Sequence, residues 1–144
     1  MPPIMSTSTL PSEYGYVVLV GSGTVLLNLF QMMRIGKLRR SLGIKYPEMY
    51  SDKHPEFNYA QRAHQNTLEN LPFMLSGMFM AGLRTPLAAA SCGAIWIAGR
   101  VAYTIGYWKA PEKRTAGFMI SLLGGQFPLL FLSVYSGLGL LGVC

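Results

Sequence analysis

From Tyr14 to Met33 the chain runs for 20 residues without a charge. At 1.5 Å per residue a helix over that stretch is about 30 Å long, the thickness of a bilayer's hydrocarbon core. Such a run in a chain of 144 residues, with only 12% charged residues, leaves too few charges to build a water-facing surface, since a soluble domain carries about 25%. Apolar residues make up 51% of the chain and are gathered into long runs rather than spaced at a core-facing period. Lipid is therefore the solvent, and the expected fold is an all-α integral membrane bundle of four transmembrane helices in one domain covering residues 1–144.

The expected spans are roughly 14–33, 59–83, 86–108 and 112–141, with a loop over 34–58. The second is polar in its first half, through Gln61, Arg62, His64, Asn66 and Glu69, and apolar in its second, where Pro72 predicts a kink. The third is rich in Ala and Gly, which let helices approach closely, and is interrupted by Arg100. The fourth opens near Pro111, a good first helical residue, and is uncharged from Thr115 onward, with Gly124, Gly125 and Pro128 predicting a bend.

Charge sets the orientation. The first and third connections hold Arg34, Lys37, Arg39, Arg40, Lys45, Lys53, Lys109, Lys113 and Arg114, nine of the twelve basic residues, so that side is expected to be cytosolic and both termini lumenal or exoplasmic. Met1–Ser12 has no Lys or Arg and so lacks a cleavable signal's basic region, which predicts that the first run stays as an anchor. The net charge of +6 is split between two short stretches without interleaved aromatics, a pattern that fits a membrane surface or an anionic substrate and not nucleic acid. Cys92 and Cys144 are too few and too badly placed for a disulfide framework, and no metal site is expected. Cys144 reads either as a free thiol or as an acylation site at the membrane boundary.

Arg62, Asn66 and Glu69 lie at i, i+4 and i+7, one face of the second helix, and Arg100, Tyr103 and Tyr107 at i, i+3 and i+7 of the third. Two polar stripes near the basic side can line one pocket. Three blander readings compete: an Arg62–Glu69 structural pair, side chains reaching to the interface, and an aromatic belt of Tyr103 and Tyr107. His64 falls off the main stripe, and Arg39–Arg40 alone reads as a topology signal.

The run Phe57-Asn58-Tyr59-Ala60-Gln61-Arg62-Ala63-His64-Gln65-Asn66-Thr67-Leu68-Glu69 resembles the second-helix signature of the membrane-associated proteins in eicosanoid and glutathione metabolism, the MAPEG family. Within it the pattern is most similar to the microsomal glutathione transferase 3 branch. The resemblance continues through Arg39-Arg40 before Tyr46-Pro47, Gly99-Arg100-Val101, Tyr103, Gly106-Tyr107 and Lys113-Arg114. It implies a homotrimer in the endoplasmic reticulum membrane with glutathione, a co-substrate, bound between subunits. In the leukotriene C synthase pattern the positions matching Arg39, Arg62, His64, Asn66, Glu69, Asn70, Tyr103 and Tyr107 contact glutathione. The position matching Arg114 polarises its sulfur, and Arg40 matches a second arginine. His64 stands where that pattern has glutamine and Asn70 where it has tyrosine. Arg100 is a secondary candidate.

The chemistry implied suits these residue types. Glutathione carries two carboxylates, an ammonium and a thiol, so guanidinium groups and one acid are what its site requires. Arg39 and Arg62 match the carboxylates and Glu69 the amine, while Arg114 favours the thiolate, with the positive end of the fourth helix adding to that potential. The expected reactions are attack on lipophilic electrophiles, leukotriene C synthesis among them, and reduction of lipid hydroperoxides. The alternatives are a non-catalytic lipid-binding protein like the five-lipoxygenase-activating protein, and an unrelated scaffold or channel subunit whose stripes only join helices.

Overall fold

The computed structural model of the protein describes residues 10–143. Residues 1–9 of the expected uncleaved leader, and the acylation candidate Cys144, lie outside the described residues. Three long helices, α1 (Tyr14–Ser41), α2 (Pro55–Gly82) and α3 (Pro86–Lys109), precede a fourth rod, Pro111–Leu140. That rod opens with a 3-10 turn, Pro111–Arg114, continues as α4 (Thr115–Ser121), widens over Leu122–Gln126 and ends as α5 (Phe127–Leu140). Pro55, Pro86 and Pro111 each sit at a first turn, where a missing N–H costs nothing.

Three of these helices, α1, α3 and the fourth rod, are long and apolar enough to cross a membrane. α2 matches α1 in length at 28 residues, but its polar first half separates it from them. Both α1 and α2 extend beyond their expected spans. Charge marks where the membrane ends, not where the helix does: Arg34, Lys37, Arg39 and Arg40 are good helix formers and carry α1 on to Ser41. The helix stops where Gly43 turns to φ +66 and the Ile44 N–H bonds the Arg39 carbonyl at 3.1 Å. Ile44 packs with Leu38 across this cap, completing a Schellman motif.

The expected irregularity in the fourth rod takes the form of a wide turn. Pro128 has no N–H for the Gly124 carbonyl, and one residue earlier the Phe127 N–H reaches back five positions to Leu122. Gly125 lies against Trp96 and Gly117 against the Tyr103 backbone, so the rod runs very close to α3. Gly106 likewise meets the Lys113 backbone.

The interior is stacked in three levels. At one end Val17, Leu27, Met74, Met78, Ala81, Ala89, Ala90, Trp96 and Leu129 form an apolar core. At the basic end a smaller cluster of Leu38, Ile44, Phe57 and Ala60 packs with Trp108. Between them, in the order of each helix, come Gln31 of α1, Thr67 of α2, and Arg100 and Thr104 of α3, all buried. Outside, Leu19, Leu26 and Met33, seven residues apart on α1, are 69–72% exposed, which suits lipid or a neighbouring chain and not water.

The close approach of α3 and the fourth rod makes a sharp prediction. Gly117→Ala forces its methyl into the Tyr103 backbone and should lower stability by about 3 kcal/mol, the upper part of the overpacking range. Gly36→Ala, whose methyl meets nothing within 4 Å, should be neutral or stabilising. Thermal unfolding of both variants in the same detergent measures the contrast.

Candidate functional site

Near the basic end, α2, α3 and the start of the fourth rod bring five of the expected residues, Asn66, Arg100, Tyr103, Tyr107 and Arg114, into one chain of contacts. Arg62 and Glu69 are exposed and Asn66 half-buried on the same face of α2. Among the described residues Arg62 and Glu69 form no ion pair with each other. Arg62 Nη1 lies 3.4 Å from Gln65 Oε1, which also accepts from the Tyr50 hydroxyl at 2.9 Å.

Asn66 turns inward, and its Oδ1 accepts from Arg100 Nη1 at 2.6 Å. Arg100 is 1% exposed, with its guanidinium 5.0 Å from the Trp96 ring and 5.3 Å from the Tyr103 ring. From Tyr103 the contacts run edge-on to Tyr107 at 5.7 Å, and Tyr107 faces Tyr59 at 6.1 Å. Arg114 closes the chain with its guanidinium 5.2 Å over the Tyr107 ring and Nη1 bonded to the Pro111 carbonyl at 2.6 Å. Aromatic faces hold both cations by their quadrupoles.

Not every expected residue joins this chain. Arg39 is buried and bonds the carbonyls of Lys45 at 3.2 Å and Glu48 at 2.9 Å, stacked between Tyr46 and Phe57. It holds the loop that follows α1. Asn58 and Gln61 hold the same loop, Asn58 through paired bonds with Ser51 at 2.8 Å and Gln61 through the Met49 carbonyl at 3.1 Å. His64 meets Gln31 of α1 at 3.1 Å, and Gln31 bonds Thr67 and Thr104. Asn70 bonds the Asn66 carbonyl within its own helix at 2.8 Å. Arg40 is exposed on α1.

Sequence reasoning missed Gln31, Tyr59, Thr67 and Thr104. Gln31 had a signal, as one of two carboxamides, with Asn28, near the basic end of an uncharged run. The threonines had none, because a hydroxyl bonding its own helix is common in lipid-embedded helices; Thr67 does bond the Ala63 carbonyl.

The arrangement offers two exposed guanidiniums, one exposed carboxylate, a carboxamide and three phenols at the edge of an apolar bundle. That suits a zwitterionic ligand with more than one carboxylate. Farther along α2, Phe73, Ser76 and Met80 continue the 4–3 spacing of the stripe. They line an apolar cavity of about 280 Å³ against Leu122, Gln126 and Phe127 of the fourth rod.

The profile of the MAPEG family matches residues 17–135. Human microsomal glutathione S-transferase 2 is 36% identical over 112 residues, 77% of this chain and 70% of that protein. An uncharacterised protein of Synechocystis is 33% identical over 80% of this chain and 83% of its own length. Bovine leukotriene C4 synthase is 30% identical over 81% of this chain and 75% of its own. The transferases found carry the type 2 name, whereas the sequence pattern favoured the type 3 branch; the family is common to both.

The Arg100–Asn66 bond predicts a non-additive response. Asn66→Leu removes an acceptor from a buried cation and should lower stability by about 2–3 kcal/mol. Arg100→Met with Asn66→Leu should be at least as stable as Asn66→Leu alone, because the stranded charge is gone. Unfolding of the two single variants and the double variant gives the coupling.

Proposed function

The chain belongs to the MAPEG family, and from that premise we propose that it is a membrane glutathione transferase that binds glutathione along the Arg62–Asn66–Glu69 stripe and activates it as a thiolate beside Arg114. The observation that carries this reading is the connected set running from Asn66 through Arg100, Tyr103 and Tyr107 to Arg114. Together with the exposed Arg62 and Glu69 on the same face of α2, it supports what glutathione's chemistry requires. Arg62 pairs with a carboxylate, Glu69 with the ammonium, Asn66 and the phenols of Tyr103 and Tyr107 with the peptide groups, and Arg114 with the sulfur. Asn70 borders the stripe, and His64, off it and turned toward Gln31 of α1, is carried over as a glutathione contact on the family pattern. Arg39 acts by fixing the Lys45–Glu48 loop, and its contact with a ligand carboxylate replaces one of those carbonyl bonds; Arg40 adds positive potential at the same end.

A thiol with a pKa of about 8.5 is only a few per cent ionised at neutral pH. A guanidinium in contact stabilises the anion selectively and raises that fraction without any nucleophile from the protein. The thiolate attacks an electrophilic carbon of a lipophilic acceptor, forming a C–S bond. On a lipid hydroperoxide it instead attacks oxygen, breaking O–O and giving the lipid alcohol, with a second glutathione completing the disulfide. Leukotriene A is one acceptor of the first kind. The apolar cavity beyond Glu69 supports entry of such acceptors from the bilayer.

The stripe is open to the outside of the subunit, with Glu69 exposed on a helix that lies among three membrane-length neighbours. An uncovered carboxylate in lipid is costly. This supports four spans, with α2 shielded inside a homotrimer whose neighbouring subunit completes the site. The basic loops face the cytosol and the termini the lumen, in the endoplasmic reticulum membrane.

Adding glutathione to the purified protein in detergent should produce the ultraviolet absorbance of a thiolate. Arg114→Ala should cut that absorbance about tenfold or more while binding changes far less. Absence of glutathione binding would sink the proposal. Binding with neither conjugate nor lipid alcohol from any lipophilic acceptor would replace it with a lipid-presenting role.

A further inference from the structure

α1 and α3 run side by side in the same direction, and both are of membrane length. Between them Gly23, Leu26, Leu27 and Phe30 of α1 and Ile97 and Val101 of α3 line an apolar groove of about 380 Å³. Gly23 keeps it open, since a methyl added there would already touch Ile97 Cδ1 at 3.4 Å. Toward the basic end the Phe30 ring lies 5.0 Å from the Trp108 ring, and the Arg34 guanidinium lies 5.5 Å over that same ring. Gly23, Phe30 and Arg34 are spaced i, i+7 and i+11, and Ile97, Val101 and Trp108 i, i+4 and i+11, so groove and cation share one face.

Depth follows from helix rise. Arg34 is the first charge after the uncharged run Tyr14–Met33, so it marks the boundary where lipid phosphates lie. From Gly23 to Arg34, and again from Ile97 to Trp108, the 11-residue separation rises about 16 Å, half of the roughly 30 Å hydrocarbon core. The groove therefore matches one acyl chain of one leaflet.

The head of the groove is rich in donors and short of acceptors. Arg34 Nε and Trp108 Nε1 are buried and, among the described residues, bonded to nothing. The Nη groups of Arg34 are likewise unbonded but not buried, so a ligand meets them first. Lys37, on the same face, and Lys109, beside Trp108, are exposed. The one ion pair among the described residues is His54–Glu56, so no carboxylate neutralises this corner. A second copy of the chain is a poor complement, with twelve basic residues to six acids.

We propose that this groove binds an anionic phospholipid of the leaflet on the basic side, with one acyl chain between α1 and α3 and the phosphate on Arg34 beside Trp108. A guanidinium donates two N–H groups to a phosphate in a fork that an ammonium cannot copy. The Trp108 ring behind it holds the cation in place. Lys37 and Lys109 add positive potential, which favours a headgroup of net negative charge over a zwitterionic one. The proposal does not depend on the glutathione reading.

Native mass spectrometry of the protein released from mixed micelles tests it, with phosphatidylglycerol and phosphatidylcholine of identical acyl chains supplied in equal amounts. The wild type should retain phosphatidylglycerol about fivefold over phosphatidylcholine, or more. Arg34→Gln should bring the ratio close to one, whereas Lys53→Gln, which removes an equal charge from an exposed loop position, should leave it unchanged. Gly23→Leu fills the groove with the cation intact and should cut retention of both lipids several-fold.

Equal retention of the two lipids by the wild type, or an equal loss of preference in Arg34→Gln and Lys53→Gln, means annular lipid drawn to a basic surface and overturns the proposal. Retention unmoved by Gly23→Leu puts the acyl chain elsewhere and overturns it too. If Arg34→Gln instead changes the number of subunits in the particle, the groove is a contact between copies and the lipid assignment fails.

Discussion

The buried guanidinium of Arg100 is the constraint on which the rest of the site depends. A cation removed from solvent is tolerable only when bonded and surrounded by polarisable partners. Here Asn66 accepts at 2.6 Å and the Trp96 and Tyr103 rings lie within 5.3 Å. Meeting that requirement fixes much else. Asn66 must face α3, which fixes the rotation of α2, and Arg62 and Glu69 stay exposed beside it on the same face. Tyr103 must present its ring to the cation, which brings Tyr107 edge-on to it and leaves Tyr107 as the platform for Arg114. Gly117 and Gly106 permit this by letting the fourth rod lie directly on the α3 backbone.

The helical character and three of the rods were legible in the amino-acid sequence because apolar run length is a direct readout of bilayer thickness, whereas the second rod was read from a half-polar run. Helix ends were less so. α1 ran past Met33 to Ser41 because arginine and lysine favour helix while disfavouring lipid, and its true stop was encoded in Gly43 and Ile44, a local cap inside what reads as a charged loop. The two stripes followed from 3.6-residue periodicity alone, but which members touch did not. Arg39 reads as a ligand arginine, yet its burial against Tyr46 and Phe57 ties it to loop carbonyls. Gln31 and Thr104, more than 25 residues from either end of the signature run, meet Thr67 behind the stripe only through the packing of α1, α2 and α3.

The polar level also explains why α2 differs from its neighbours. Its first half carries the loop anchors Asn58 and Gln61, the network residues His64 and Thr67, and the outward stripe, three tasks that leave little apolar surface for lipid. Beyond Glu69 the same face becomes the apolar cavity against Leu122 and Gln126. One helix face thus passes from groups suited to a charged tripeptide to groups suited to an acyl chain. A transferase joining a water-soluble thiol to a membrane-borne acceptor needs that juxtaposition.

The glutathione site stands or falls with the pairing of Glu69 and the ligand ammonium. Equilibrium binding of glutathione and of its analogue lacking the amino group can be compared in the wild type and in Glu69→Gln. The analogue should bind the wild type about tenfold more weakly than glutathione does, and this preference should disappear in Glu69→Gln. An equal preference for glutathione in both proteins would place the ammonium elsewhere and contradict the assignment of the stripe.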